Sequence, residues 1–182
     1  MLKLSDNPPI LFPSAEQPAD LPGEWWVAHT KARAEKALAW DLMKRGVGYF
    51  LPLVEHVSVS GGRKRRVLLP LFSSYLFFCG DAADRYAAMT TDRVCQVIRV
   101  VDQAQLLKEL GAVSMALKRK AALETYPCPA IGRRCRLTSG PFKDLEGIVI
   151  QHAGKSRVVL QVSFIARGAA MEIDADLVEA ID

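Results

Sequence analysis

The sequence predicts an α+β fold: a small antiparallel sheet flanked by helices, followed by a compact β-barrel. Three observations predict it. Residues 23–117 read as alternating elements in the order β-α-β-β-α-β-α, which implies a small sheet with helices packed against it. The last 50 or so residues carry only short β-branched runs between Gly- and Pro-containing turns, the size of a minimal barrel. Two proline-rich stretches, residues 1–22 and 126–129, break the chain where neither pattern holds. The expected organisation is therefore a flexible arm (1–22), a first domain (23–117), a linker (118–130) and a barrel (131–182).

Each element has its own reason. Pro8, Pro9, Pro13, Pro18 and Pro22 lie among polar residues, so the arm is expected to be extended and mobile. Residues 25–29, Trp-Trp-Val-Ala-His, are aromatic and β-branched and read as a buried strand, with Trp25 in the core. From Lys31 to Arg45, Ala34, Ala37, Leu38 and Leu42 share a helix face, with Thr30 as the expected N-cap and Gly46 as the stop. Residues 47–59 and 63–69 read as a hairpin turning at Gly61-Gly62. The apolar run 71–78 predicts a central strand. Asp81 and Asp84 open a short helix through Met89, and residues 94–101 are again β-branched. Asp102 and Gln105 form a capping box for a helix with the stripe Leu106, Leu110, Val113 and Leu117. Barrel strands are expected at 133–138, 145–152, 157–163 and 171–173.

Composition narrows the function class. The 182 residues are 50% hydrophobic and 24% charged, with a net charge of +4. No window has the roughly 18 uninterrupted apolar residues of a membrane span. The first 20 residues lack a secretory pattern. Cys79, Cys95, Cys128 and Cys135 form no C-x-x-C pair and are expected as buried reduced thiols, which suits a cytoplasmic protein; a monomer is expected. His29, His56 and His152 share no metal-binding spacing and have no nucleophile partner. No Gly-rich phosphate loop precedes a helix, so neither an enzyme nor a cofactor or metal site is expected. Residues 23–117 hold 13 Lys/Arg against 9 Asp/Glu, a bias that favours a polyanionic neighbour for that domain.

Two segments resemble known motifs. Residues 136–149, with Gly140, Pro141, Phe142, Leu145 and Gly147, resemble the KOW motif of SH3-like barrels. Gly140 supplies positive φ for the turn, Phe142 and Leu145 close the barrel end, and Gly147 permits close strand packing. Residues 25–30 with the following helix, the hairpin 57–67 and residues 70–77 are similar to the NGN domain of the NusG family. Residues 162–173 are similar to the end of NusG chains. The likeness runs from 24 to 182.

The resemblance implies a transcription elongation or antitermination factor. Its NGN domain would bind the clamp helices of the largest RNA polymerase subunit through Trp26, His29, Phe72, Tyr75 and Phe77. Lys31 and Arg33, with Arg63, Lys64, Arg65 and Arg66 on the hairpin, would meet non-template DNA or nascent RNA. The KOW barrel would recruit ribosomal protein S10 or the termination factor Rho through Phe164, Ile165 and Arg167. Ser73-Ser74 stands where the family usually has Pro-Gly, and Ile165-Ala166 where many members have Phe-Gly. Of the threonine cluster of RfaH only Thr90-Thr91 is a candidate match. With the proline-rich arm, these departures suggest a specialised RfaH-like paralogue serving selected operons. The alternative reading is a KOW-containing RNA- or ribosome-binding protein without polymerase contact.

Overall fold

The computed structural model describes residues 6–60, 63–127, 132–152 and 154–181, without the side chains of 58–60, 63, 65, 127 and 152. The turn at Gly61-Gly62, Cys128 and the side chains of Arg63, Arg65 and His152 lie outside the described residues. The chain divides into two compact units, Met1–Gln103 and Ala104–Asp182.

The first unit is built on β2 (Glu24–Thr30), which pairs antiparallel with β6 (Tyr75–Gly80) on one side and β7 (Val94–Arg99) on the other. Beyond β6 lie β3 (Gly48–Phe50) and β1 (Leu11–Phe12), giving the order β1-β3-β6-β2-β7. Strand alternation sends Trp26 and Ala28 to one face of the sheet. There they join Tyr49, Leu76 and Phe78, and α1 (Glu35–Lys44) adds Leu38, Ala39 and Leu42. Full burial of a leucine such as Leu38 or Leu42 contributes about 1.5–3 kcal/mol, so this face anchors the helix. Trp25, Val27, Phe50 and Phe77 occupy the opposite face and are also buried. Between β3 and β6, β4 (Leu53–Ser60) and β5 (Arg63–Pro70) form a separate two-stranded ribbon.

Several expectations need correction. The arm is not free: β1 pairs Leu11 with Phe50 and Phe12 with Tyr49, and the Leu51 amide donates to the Ile10 carbonyl at 2.7 Å. Phe12 stacks on Tyr49, and Pro18 and Leu21 are buried, so apolar side chains hold the proline tract against the sheet. Nor does the helix begin at Lys31. Thr30 belongs to β2, where its amide donates to the Ser74 carbonyl and a bulge between His29 and Thr30 shifts its pairing to Val94. A turn with Arg33 at φ +61° follows, and α1 starts at Glu35. The central strand likewise starts at Tyr75 rather than at 71, because the chain first turns at Phe72–Tyr75. By contrast, α2 (Ala82–Met89) is capped as expected. Asp81 accepts from the amides of Ala83 and Asp84, and Asp84 accepts from the Asp81 amide.

The second unit begins within α3 (Gln103–Lys118), whose Leu106, Leu110 and Val113 are buried as the stripe predicts. The division falls at 103/104, not in the linker expected from residue 118. Glu109 explains part of this: its carboxylate accepts from the Ser163 amide at 2.9 Å and from the Ser163 hydroxyl at 2.6 Å. A six-stranded antiparallel sheet follows, with β8 (Glu124–Pro127), β9 (Arg133–Leu137), β10 (Glu146–His152), β11 (Lys155–Val162), β12 (Arg167–Glu172) and β13 (Val178–Ala180). Its order is β13-β9-β10-β11-β12-β8. Residues 124–127, expected in the linker, thus form an edge strand paired with 167–170. Val158, Val159, Leu160 and Val162 are all buried, so β11 is covered on both faces.

Candidate functional site

Five side chains were expected on one docking surface, and the structure separates them. Trp26, Phe72 and Phe77 are 5%, 1% and 0% exposed. Trp26 stacks on Phe78 with ring centroids 5.6 Å apart, and Phe72 meets Phe77 edge-on at 6.3 Å. These three rings are core residues here: Trp26 and Phe77 lie on central strands whose two faces are both buried, and Phe72, in the turn before β6, packs inward against Phe77. His29 and Tyr75 behave differently. They lie directly opposite each other on β2 and β6, half-buried, with ring centroids 5.3 Å apart and a 36° tilt.

The turn before Tyr75 sets that pair. The Tyr75 amide donates to the Phe72 carbonyl at 3.1 Å, closing a β-turn with Ser74 at φ +66° in its third position. That position in a type II turn favours glycine. The Ser74 amide donates to Glu35 Oε1 at 2.6 Å, and Glu35 is buried. Sequence reasoning missed Glu35, since an acid in the first turn of a helix looks like ordinary dipole complementation.

The basic residues near this edge are partly neutralised. Lys31 Nζ lies 2.6 Å from Asp92 Oδ1, and that hydrogen bond, with the lysine's charge, holds the Asp92 carboxyl below its usual range. Arg33 is exposed. On the ribbon, Lys64 and Arg66 are exposed and share one face by the strand period. Arg66 Nε sits 3.3 Å from Glu55 Oε1.

In the second unit the motif residues lie at a turn and a close strand contact. Gly140 has φ +77°, and the Lys143 amide donates to its carbonyl. Pro141 is exposed, Phe142 is half-buried and Leu145 is buried. A Cβ on Gly147 would lie 2.6 Å from Val158 Cγ1 and 2.8 Å from the Val159 carbonyl oxygen, so glycine is required for that strand contact. In the expected partner loop, Ile165 turns inward at 7% exposure while Phe164 is 37% exposed. Ala166 adopts the left-handed region at φ +49°, and Arg167 opens β12 on the surface.

The thiols differ from expectation at one position. Cys79 and Cys135 are buried, and burial pushes the Cys79 thiol up to about 12. Cys95, expected to be buried, is exposed. No helix among the described residues is long and apolar enough to cross a membrane.

Comparison with known proteins gives these residues a context. The family model NusG, described as transcription termination factor nusG, matches residues 23–115. The transcription termination/antitermination protein NusG of Thermus thermophilus is 28% identical over 174 residues, covering 83% of this chain and 95% of its own. The protein of the same name from Deinococcus radiodurans is 26% identical over 182 residues, with the same coverage of each chain. A solved structure, "Domain interaction in Thermotoga maritima NusG", covers 87% of this chain and 97% of its own, at 17% identity and a TM-score of 0.47. Matched by the family's model over half of its length, this chain belongs to the NusG family.

Proposed function

We propose that this protein is a transcription elongation or antitermination factor that acts by binding rather than catalysis. Its first unit docks on RNA polymerase through the edge formed by His29 and Tyr75, against the clamp helices of the largest subunit. The observation that carries this reading is the half-buried ring pair within the segment the NusG family model matches. A half-buried tyrosine held by a neighbouring ring is a rigid anchor of the kind that dominates helix-in-groove contacts. Trp26, Phe72 and Phe77 shape the fold beneath it.

The ribbon β4–β5 adds a nucleic-acid contact through Lys64 and Arg66, with Lys31 and Arg33 at the strand-to-helix turn. The second unit recruits a partner, S10 or Rho, through the loop at 163–167. The family-type aromatic missing at position 165 is supplied one residue earlier, by the exposed Phe164. The Ser73-Ser74 turn and the Ile165-Ala166 loop support a specialised member serving selected operons in the cytoplasm. Even genome-wide occupancy of all transcription units would contradict that specialisation.

The test is co-sedimentation of the full chain with core RNA polymerase and, separately, with ribosomes, across a salt series. Retention by polymerase at near-physiological salt is expected. Salt-resistant retention by ribosomes without polymerase binding would favour the RNA- or ribosome-binding alternative.

A further inference from the structure

We infer that Glu35 is the positioning residue of the docking edge: its buried carboxylate holds the Phe72–Tyr75 turn and thereby seats Tyr75 against His29. The inference rests on the docking reading above for its functional consequence, but its structural half stands apart from it.

Three observations converge. First, Ser74 occupies the left-handed region at φ +66°, which disfavours any side chain relative to glycine, so something must stabilise it. Second, both backbone groups of Ser74 are held from the β2–α1 side. Its amide donates to Glu35 Oε1 at 2.6 Å, and its carbonyl accepts from the Thr30 amide at 2.9 Å. Thr30 follows His29 and Ser74 precedes Tyr75, so these two bonds set the height at which the rings meet. Third, Glu35 is only 5% exposed, although it lies in the first turn of α1 where an acid would normally face water. A carboxylate is kept out of water only where donors replace it, and the donor here lies 39 positions away in sequence.

The turn could have been built with glycine, which adopts positive φ without the cost of a Cβ. With serine in that place, Glu35 is the element that compensates. The arrangement therefore predicts a specific genetic interaction: glycine at 74 should make the carboxylate dispensable, whereas a general loss of core packing would not be repaired by it.

The experiment uses the full chain as Glu35→Ala, Glu35→Gln, Ser74→Gly and the double variant Glu35→Ala/Ser74→Gly. Two quantities are read: the nuclear Overhauser effect between the His29 and Tyr75 rings in the free protein, and affinity for core RNA polymerase. Glu35→Ala should lose the ring contact and bind roughly tenfold more weakly, because the bond that offsets the cost of a left-handed serine is gone. Glu35→Gln, which keeps an acceptor oxygen, and the double variant should regain the contact and bind within about threefold of wild type. An unchanged ring contact in Glu35→Ala overturns the inference, as does a double variant no better than Glu35→Ala. If Glu35→Ala does not fold, a folded double variant supports the inference and an unfolded one overturns it. Wild type that fails to bind polymerase would reject the docking reading, while the ring contact in the free protein still decides the role of Glu35.

Discussion

Trp26 stacks on Phe78 across β2 and β6, at 5.6 Å between centroids, on the sheet face where Leu38 and Leu42 of α1 are fully buried. The tryptophan thus belongs to the interior although it neighbours a proposed docking residue in sequence. Trp26→Ala should cost about 3–5 kcal/mol of unfolding free energy, through lost burial and the cavity left behind. Tyr75→Ala, at a half-buried position, should cost about 1 kcal/mol. Urea denaturation of both variants checks the contrast, and equal destabilisation would contradict the assignment of Trp26 to the core.

The loop at 163–167 predicts a reversal between adjacent residues. Ile165 is buried, so Ile165→Ala should destabilise the second unit by about 2–4 kcal/mol. Phe164→Ala should change stability by only about 0.5 kcal/mol while abolishing partner capture. Thermal melts paired with binding to purified S10 and Rho separate the two effects.

The ribbon should act through charge. Lys64 and Arg66 are exposed on one face, and each phosphate contact adds about 0.9 to the slope of log affinity against log salt for duplex DNA. Lys64→Ala and Arg66→Ala should each lower that slope by about 1, across sequences alike. Arg66 also pairs with Glu55, so Glu55→Gln should strengthen nucleic-acid binding slightly. A slope unchanged by both cation removals would remove the ribbon from the interface.

Stability of the second unit should depend on acid. Glu146 is hydrogen-bonded by Arg136 at 2.7 Å and by Lys108 at 3.1 Å, and these bonds lower its carboxyl from the ordinary value of 4.5. A group whose folded pKa is depressed contributes its stability above the unfolded value, and that contribution fades as pH falls through the folded one. Unfolding midpoints should therefore drop below pH 4.5, and Glu146→Gln should flatten that part of the profile. A profile unaltered by the substitution would show that the pair contributes nothing to the fold.

Much of the fold was legible because its signals are local. The aromatic strand around Trp25, the capping acids Asp81 and Asp84, and the Gly140 turn each carry their geometry in their own residue types. The misses share a different cause. Arg33 and Ser74 adopt positive φ without being glycine, so the delayed start of α1 and the turn before β6 leave no mark in the sequence. Thr30 has the chemistry of an N-cap, yet pairing with Val94 on one side and a bond to the Ser74 carbonyl on the other take its backbone first. The proline arm looked unstructured because Leu11 and Phe12 gain their value only beside Phe50 and Tyr49, distant in sequence. Of the five side chains expected on one docking surface, Trp26, Phe72 and Phe77 are buried, while His29 and Tyr75 are half-buried. Alternation tells which residues share a face but not which face is covered, and Glu35 carried no local signal at all.

The most direct measurement is the dissociation constant of the full chain for core RNA polymerase, wild type against Tyr75→Ala, at one fixed salt concentration and with both proteins shown folded. A loss of at least roughly thirtyfold is expected for a rigid aromatic anchor at the centre of the contact. Equal affinities for the two proteins would contradict the claim that this edge is where the polymerase docks.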